Sequence, residues 1–479
     1  MNMPSLYQRL AAQYRKAIES GTLVAGTRLP SLRELMARHE VSLSTAVEVY
    51  RLLEREDYIE ARDRSGYFVK LRVRSRVRPA KEPDPAAIDP AQYVGINERV
   101  SRVIAAGQQA LVTVDLAHAS PSARYYPSDA LQRLATRVMR EDKDLFGRMA
   151  REGGEPALKS VLSRRAFAAQ IDVSPDEIIV THGGIEALNL ALRAVTQTGD
   201  TVAIESPTFF GLLQIIESLG LKAVEIPTSP QTGMSIDALE LAQRMCPGLT
   251  TVISVPNFHN PTGSVMPDEA KARLVQFCEQ HGIALIEDDS YSVLGQGELP
   301  AASLKRWDRS GNVIHCASLH KTLSPGLRLG WMIAGKWQQR VRMLKYVQSR
   351  SNNALHQLVA AGFMAESSFD RHLKKLRGHL CDQRMRYAQA IYDYFPDSIR
   401  MTVPEGGIYL WIELPEQVSS LTLFEDALKK GIRLWPGSIF TNTSRFDHFI
   451  RLTYGETYSE PVDQAMRTLG RMVESASRA

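Results

Sequence analysis

Cysteine is scarce, with only Cys246, Cys278, Cys316 and Cys381 among 479 residues and no two of them in a C-x-x-C spacing. That spacing suggests neither a disulfide framework nor a zinc cage, and leaves buried free thiols in a reducing cytoplasm with no metal expected. Long apolar runs are missing too: none approaches the ~18 residues of a membrane span. The start, Met1-Asn-Met-Pro-Ser-Leu-Tyr-Gln-Arg9, lacks the apolar core and cleavage site of an export signal. A cytoplasmic protein without membrane partners is expected. With 44% hydrophobic and 23% charged residues the composition is that of a globular protein, and the length suits two or three domains at ~100–200 residues each.

Net charge is small, +5, but unevenly placed. Residues 1–78 carry 15 Lys and Arg against 9 Asp and Glu, whereas the remainder carries 43 against 44. The whole basic excess therefore sits in the first sixth of the chain, as expected of a small module that meets a polyanion beside a larger one that does not.

Within that module, Leu6, Leu10, Ala11, Tyr14, Ala17 and Ile18 lie on one helical stripe that Gly21 ends. Ser31 with Glu34 three residues on is a capping box and opens a second helix, Leu32 to His39. A third runs from Ser42 to about Arg55, burying Ala46, Val49, Tyr50 and Leu53 and showing Ser44, Thr45, Glu48 and Arg51 on its other face. A β-like ribbon follows, Tyr58-Ile-Glu60 and then Gly66-Tyr-Phe-Val69. Two helices across a short turn, then a ribbon, form a winged helix-turn-helix, and short hydroxyls at the start of the second suit phosphates and base edges. The string Gly26-x-Arg28-Leu-Pro-Ser-x-Arg33-Glu-Leu, with Val41-Ser-x-Ser-Thr45 and Arg64-Ser-Gly66-Tyr-Phe-Val, resembles the DNA-binding domain of the GntR family. The resemblance implies contacts to double-stranded DNA from Arg33, Ser42, Ser44, Thr45, Arg64 and Gly66. Leu43 departs from it, standing where many relatives carry a basic residue.

Prolines at 79, 83, 85 and 90, with Arg72, Arg74, Arg76 and Arg78 alternating before them, predict a semi-rigid exposed connector over 71–98. Those arginines suit a DNA backbone or simple solubility. Domains of 1–70 and 99–479 flank it, the latter with a large part at about 130–340 and a small part at about 370–479.

Beyond residue 110 short β-rich runs alternate with helical stretches. Strands are expected at 178–181, 201–205, 251–255, 284–287, 313–316 and 329–333, with helices such as 185–195 and 267–281 between them. Continuously apolar strands alternating with helices predict an α/β body with a mostly parallel sheet, whose ligands bind beyond the carboxyl ends of the strands. Polar clusters stand there: Thr181-His-Gly-Gly-Ile-Glu, a turn into a helix suited to phosphate; Ser206-Pro-Thr-Phe-Phe, where a planar ring could stack; Asn257-Phe-His-Asn260-Pro-Thr-Gly; Glu287-Asp-Asp-Ser-Tyr291; and Ser318-Leu-His-Lys321 leading to Arg328.

Pyridoxal 5′-phosphate wants this set: a lysine to form an imine, a carboxylate for the ring nitrogen, amide and phenol groups for the ring oxygen, and hydroxyls, an arginine and a helix start for the phosphate. Ser318-x-x-Lys321 also fits a serine β-lactamase signature, but no Ser-Asp-Asn or Lys-Thr-Gly accompanies it.

The order of these clusters resembles the fold-type I, class I/II aminotransferases over about 112–475, with closest likeness to the kynurenine and aminoadipate branch. The resemblance implies that Lys321 is the imine lysine, Asp288 pairs with the pyridine nitrogen, and Asn260 and Tyr291 bond the ring oxygen. It gives Phe209 the stacking role, phosphate to Gly184, Ile185, Ser318 and Arg328, and a substrate carboxylate to Arg451 in Phe449-Ile-Arg-Leu-Thr. Catalytic duty falls to Lys321, Asp288 and Tyr291; Glu287 and Asp289 are read as structural. Two departures are Ile185, where many relatives carry glutamine, and Met149, where a tyrosine reaches the partner's phosphate.

A winged helix joined to such a body resembles the MocR/GabR subfamily of GntR-type regulators. That implies a cofactor-dependent transcription factor, paired head to tail as a homodimer, whose body senses an amino compound or the cofactor. The rival reading is an active aminotransferase with an accessory DNA-binding domain, in which Lys321 serves as base.

Overall fold

The computed structural model describes residues 6–19, 22–23, 26–56, 58–62, 66–70, 77–297 and 300–478. They divide into two compact units, 1–77 with 385–393, and 78–384 with 394–479.

In the head, helices Leu6–Glu19, Leu32–His39 and Leu43–Arg55 form as the apolar spacing requires. The capping box is real: Glu34 N donates to Ser31 Oγ at 3.3 Å and Ser31 N donates to Glu34 Oε2 at 2.7 Å. Ser42 lies outside the third helix as its N-cap, accepting from Thr45 N at 3.3 Å, so that helix starts one residue later than its periodicity suggests. Leu35, Ala46, Val49, Tyr50 and Leu53 are fully enclosed, and the Tyr50 hydroxyl donates to the Pro30 carbonyl at 2.5 Å. Each larger apolar side chain buried there contributes roughly 1.5–3 kcal/mol. Strands Ile59–Arg62 and Gly66–Val69 pair antiparallel as the wing, from Ile59 opposite Val69 to Arg62 opposite Gly66.

The body is built on a nine-stranded sheet. Its main path runs Gln92–Tyr93, Lys222–Ser229, Thr201–Ser206, Leu249–Ser254, Ala284–Asp288, Val313–Ser318, Gly330–Ile333, Ile178–Thr181. Five neighbouring strands from 222–229 to 313–318 are parallel, while 330–333 is antiparallel to both its neighbours. Helices including Gly184–Val195 and Asp268–Gln280 connect the strands. A second, antiparallel sheet joins 400–401, 409–413, 449–453 and 435–436. The strand 222–229 escapes a reading by apolarity because it carries Lys222, Glu225 and Pro227. Burial of Glu225 is compensated by the Ser206 hydroxyl at 2.6 Å, Thr441 Oγ1 at 2.7 Å and Asn442 N at 2.6 Å.

From 78 to 98 the connector is mostly exposed, as expected, but it is not a free segment. From Arg78 onward it is stitched into the body: Met401 N donates to the Arg78 carbonyl, Ala80 N to Thr402 Oγ1, and Lys81 N to Glu413 Oε2. Gln92–Tyr93 adds an antiparallel edge strand to 222–229, and Ile96 N and Asn97 N both donate to Glu217 Oε2. Prolines remove some donors, but the remaining N–H groups find acceptors, and Val94 and Ile96 bury their side chains. Arg72, Arg74 and Arg76 lie outside the described residues.

Candidate functional site

Strands 178–181, 201–206, 249–254, 284–288 and 313–318 run the same way, so the polar segments beyond their carboxyl ends converge on one rim. Lys321 stands there, half-buried, with Nζ donating to the Ala119 carbonyl. Desolvation and the Arg451 and Arg328 guanidiniums, opposed by Asp288, pull its amine down to about 7. Asp288 is buried, and Ser290 holds its Oδ1 twice, through Oγ at 2.5 Å and N at 3.2 Å. Burial raises the Asp288 carboxyl above its ordinary value, against those bonds and the Lys321 charge.

Arg451 is wholly enclosed, donating through Nη1 to Asn260 Oδ1 at 2.8 Å and through Nη2 to the Ala117 carbonyl at 3.1 Å. Its guanidinium lies 4.3 Å from the Tyr409 ring centroid and 5.1 Å from that of Phe440, and its Nε has no hydrogen-bond partner among the described residues. The Tyr291 and Tyr409 hydroxyls are 3.1 Å apart, and burial holds the Tyr291 phenol well above its usual value. Phe209 caps the helix Phe210–Ser218, its ring packed 5.0 Å from that of Phe210, and the adjoining Thr208 N donates to the Phe440 carbonyl.

At the other end of the rim, Gly183 has φ +90°, which favours glycine, and leads into the helix starting at Gly184. A β-carbon on Gly184 would sit 3.4 Å from Ser290 Oγ and 3.7 Å from Ser318 Cβ. Arg328, with a left-handed φ of +53°, donates to the His182 carbonyl at 3.1 Å and lies beside Gly183. Backbone strain of that kind, about 1–3 kcal/mol, persists where the surroundings hold it. Ser318 Oγ accepts from His320 N at 3.2 Å. Ile185, by contrast, leaves its side chain 46% exposed, and Met149 is 69% exposed.

Three residues join this site without having been singled out from the sequence. Ser290 was visible inside the Glu287–Tyr291 block, and His320 beside Lys321; Tyr409 lies 118 residues from Tyr291 and gave no signal. His320 bonds the Ser120 hydroxyl at 2.6 Å, and burial beside Lys321 and Arg328 holds it down to about 3, so it is neutral at pH 7. Glu287 is a structural clamp, accepting from Ser303 Oγ at 2.6 Å and Leu304 N at 2.7 Å and meeting His315 Nδ1 at 3.0 Å. Asp289 accepts from Ser292 Oγ at 2.9 Å.

On the head, Arg33, Ser42, Ser44 and Gly66 are exposed and Thr45 is half-buried, while Arg64 lies outside the described residues. Gly66 needs its glycine, with φ +99° at the start of the second wing strand. Arg28, quoted in the motif but given no role, places its guanidinium beside Gly66, where a β-carbon would meet Nε at 3.6 Å. Among the described residues no group of three or more His, Cys, Asp or Glu could hold a metal, and no helix is long and apolar enough to cross a membrane.

Residues 122–469 match the family of class I and II aminotransferases. The chain belongs to that family. Ahead of this aminotransferase-family body, residues 6–69 match the gntR family of bacterial regulatory proteins. The uncharacterized HTH-type transcriptional regulator YdcR of Escherichia coli is 35% identical over 98% of this chain and 99% of its own. YjiR of the same organism, also an uncharacterized HTH-type transcriptional regulator, is 33% identical over 98% and 99%. Among solved structures, the α-aminoadipate aminotransferase LysN of Thermus thermophilus, complexed with N-(5′-phosphopyridoxyl)-L-leucine, superimposes with a TM-score of 0.71 at 27% identity, covering 79% of this chain and 95% of that one. This class I and II aminotransferase-family chain is thus a GntR-type transcriptional regulator with a DNA-binding head, and its body takes pyridoxal 5′-phosphate as cofactor.

Proposed function

We propose that the body is a sensor: pyridoxal 5′-phosphate on Lys321 forms the floor of a pocket for an amino-acid-like effector, whose binding changes how the head engages DNA. The cofactor supplies an electrophilic carbon and an electron-accepting ring. Lys321 would hold its aldehyde carbon, Asp288 would pair with the ring nitrogen, Asn260 and Tyr291 would take the ring oxygen, and Phe209 would stack on the ring. Gly184, Ile185 through its backbone, Ser318 and Arg328 would hold the phosphate. Support for this fit comes from the helix start at Gly184, which has Ser318 and Ser290 beside it, and from the buried Arg451 whose Nε lacks a partner among the described residues.

The observation that carries the reading is the gntR-family head joined to a body in which the Lys321 amine is drawn down to about 7 by burial and the Arg451 charge. An amine half unprotonated at neutral pH is a nucleophile for a carbonyl, and it serves equally as a proton acceptor once released. Arg451 limits the effector to a carboxylate-bearing class. Linkage then requires that the effector bind one arrangement of the chain more tightly than another; equal affinity shifts nothing. On the head, Arg33, Ser44, Thr45 and Gly66, with Ser42 as the helix cap, are assigned to DNA, as is Arg64 by its place in the sequence motif.

A homodimer with head-to-tail pairing belongs to this reading. Light scattering that returns a monomer would remove that part. The rival, an active aminotransferase, is supported by the same lysine. Half-reaction and steady-state transamination across amino acids separate the two: binding with negligible turnover supports the sensor, and sustained turnover with any amino acid favours the enzyme.

A further inference from the structure

The recognition helix Leu43–Arg55 opens with an apolar side chain where DNA-binding helices present their base-reading residues. Ala46, Val49, Tyr50 and Leu53 on the same helix are fully enclosed by the head, whereas Leu43 is 54% exposed. It stands seven residues before Tyr50, on the same helical stripe, but the core has run out by that turn. Its outer half therefore joins no apolar cluster among the described residues of the head.

The neighbours of Leu43 cannot do its reading. Ser42 Oγ accepts from Thr45 N at 3.3 Å and lies 2.9 Å from both Ser44 Oγ and Thr45 Oγ1, so three hydroxyls are bonded among themselves. Hydroxyls that do reach a base edge serve as donor or acceptor and discriminate little. The first turn holds no charged side chain, and one turn further on Glu48 and Arg51 are paired with each other at 3.1 Å. The exposed basic side chains ahead of this helix, Arg28, Arg33 and Arg38, lie outside it, and among the described residues nothing at its tip presents the fork that reads guanine.

We propose that Leu43 reads the 5-methyl group of a thymine in the major groove and sets a base preference that the hydroxyl and basic residues of the head do not supply. The isobutyl group complements only one feature of the groove, since every other base edge offers donors or acceptors that it would leave unpaired. The inference rests on the assignment of this helix to DNA.

The test uses the full-length protein and duplexes selected by it from a randomised pool. Each thymine of a selected site is replaced in turn by deoxyuridine, which removes the methyl alone. Affinity is expected to fall about fourfold at one thymine per half-site, the worth of one buried methyl. Leu43→Ala should bind the thymine and uracil duplexes equally, with the salt slope of the wild type; Leu43→Met, which keeps an apolar reach, should retain part of the preference. Tolerance of uracil at every position overturns the proposal while leaving DNA binding intact, as does a uracil penalty that persists undiminished in Leu43→Ala. Failure to retain any duplex even at low salt sinks the assignment of the head itself.

Discussion

Arg33 and Arg451 carry the same guanidinium in opposite surroundings. Arg33 is exposed on the head, its charge reaching a partner through water and ions; Arg451 is wholly enclosed in the body and held by Asn260, Ala117 and two aromatic rings. The contrast extends to the regions. Exposed charges on the head, such as that of Arg33, answer to ionic strength. Those of the body are set against one another in advance, and answer to pH and to loss of a partner.

The largest effect expected tests the body alone. Lys321→Ala should eliminate the covalent adduct that borohydride reduction fixes and peptide mass spectrometry locates, while leaving the salt dependence of DNA binding unchanged. An adduct that persists elsewhere breaks the assignment of this amine. Next in size is its protonation. An ordinary lysine near 10.4 has only about one free amine in a few thousand at pH 7, whereas Lys321, drawn to about 7, is about half free. Since the unprotonated form is the nucleophile, the rate at which cofactor attaches to apo-protein should rise with pH up to about 7 and level off above 8. A rate still climbing tenfold per unit at pH 9 would show that burial does not set this amine apart.

Legibility of the sequence follows the same divide. The head could be read almost whole because its elements are amphipathic and locally capped, so Ser31, Glu34 and Ser42 announce helix starts that the fold keeps. In the body, the chemistry-bearing residues lie just past strands, and Asp288, Asn260, Lys321, Arg328 and Arg451 all sit at or beside one rim. What the sequence hid depends on long-range partners. The strand 222–229 looks too polar until Ser206, Thr441 and Asn442 are seen on Glu225, and the connector looks free until Glu217 and Glu413 take its N–H groups. Tyr409 stayed invisible because its role arises only when the second sheet brings it against Arg451 and Tyr291.

The two arginines themselves give the third comparison. Arg451→Met leaves Asn260 Oδ1 and the Ala117 carbonyl without their donors, and should destabilise the body by about 2 kcal/mol in urea unfolding, the relief of a buried charge offsetting part of two lost acceptor bonds. Arg33→Ala should change stability by less than about 0.5 kcal/mol, yet lower the slope of log affinity against log salt by about 0.9. Equal stability losses, or an unaltered slope, would erase the distinction between them.

The smallest effect sharpens the comparison at the level of one hydroxyl. Tyr50 in the head donates to the Pro30 carbonyl at 2.5 Å, and Tyr454 in the body donates to the Gly406 carbonyl at 2.6 Å, both from enclosed side chains. Removing either hydroxyl takes the side-chain donor from a main-chain carbonyl, so Tyr50→Phe and Tyr454→Phe should each cost about 1 kcal/mol. That same loss lowers the melting temperature of a domain the size of the head by about 4–8 °C and of a much larger one by no more than about 2–4 °C, because the entropy of unfolding grows with length. Calorimetry of the full chain should therefore show the Tyr50→Phe shift exceeding that of Tyr454→Phe. Equal shifts in a single transition would mean that head and body melt as one cooperative unit, and that the division seen in the fold is not a division in stability.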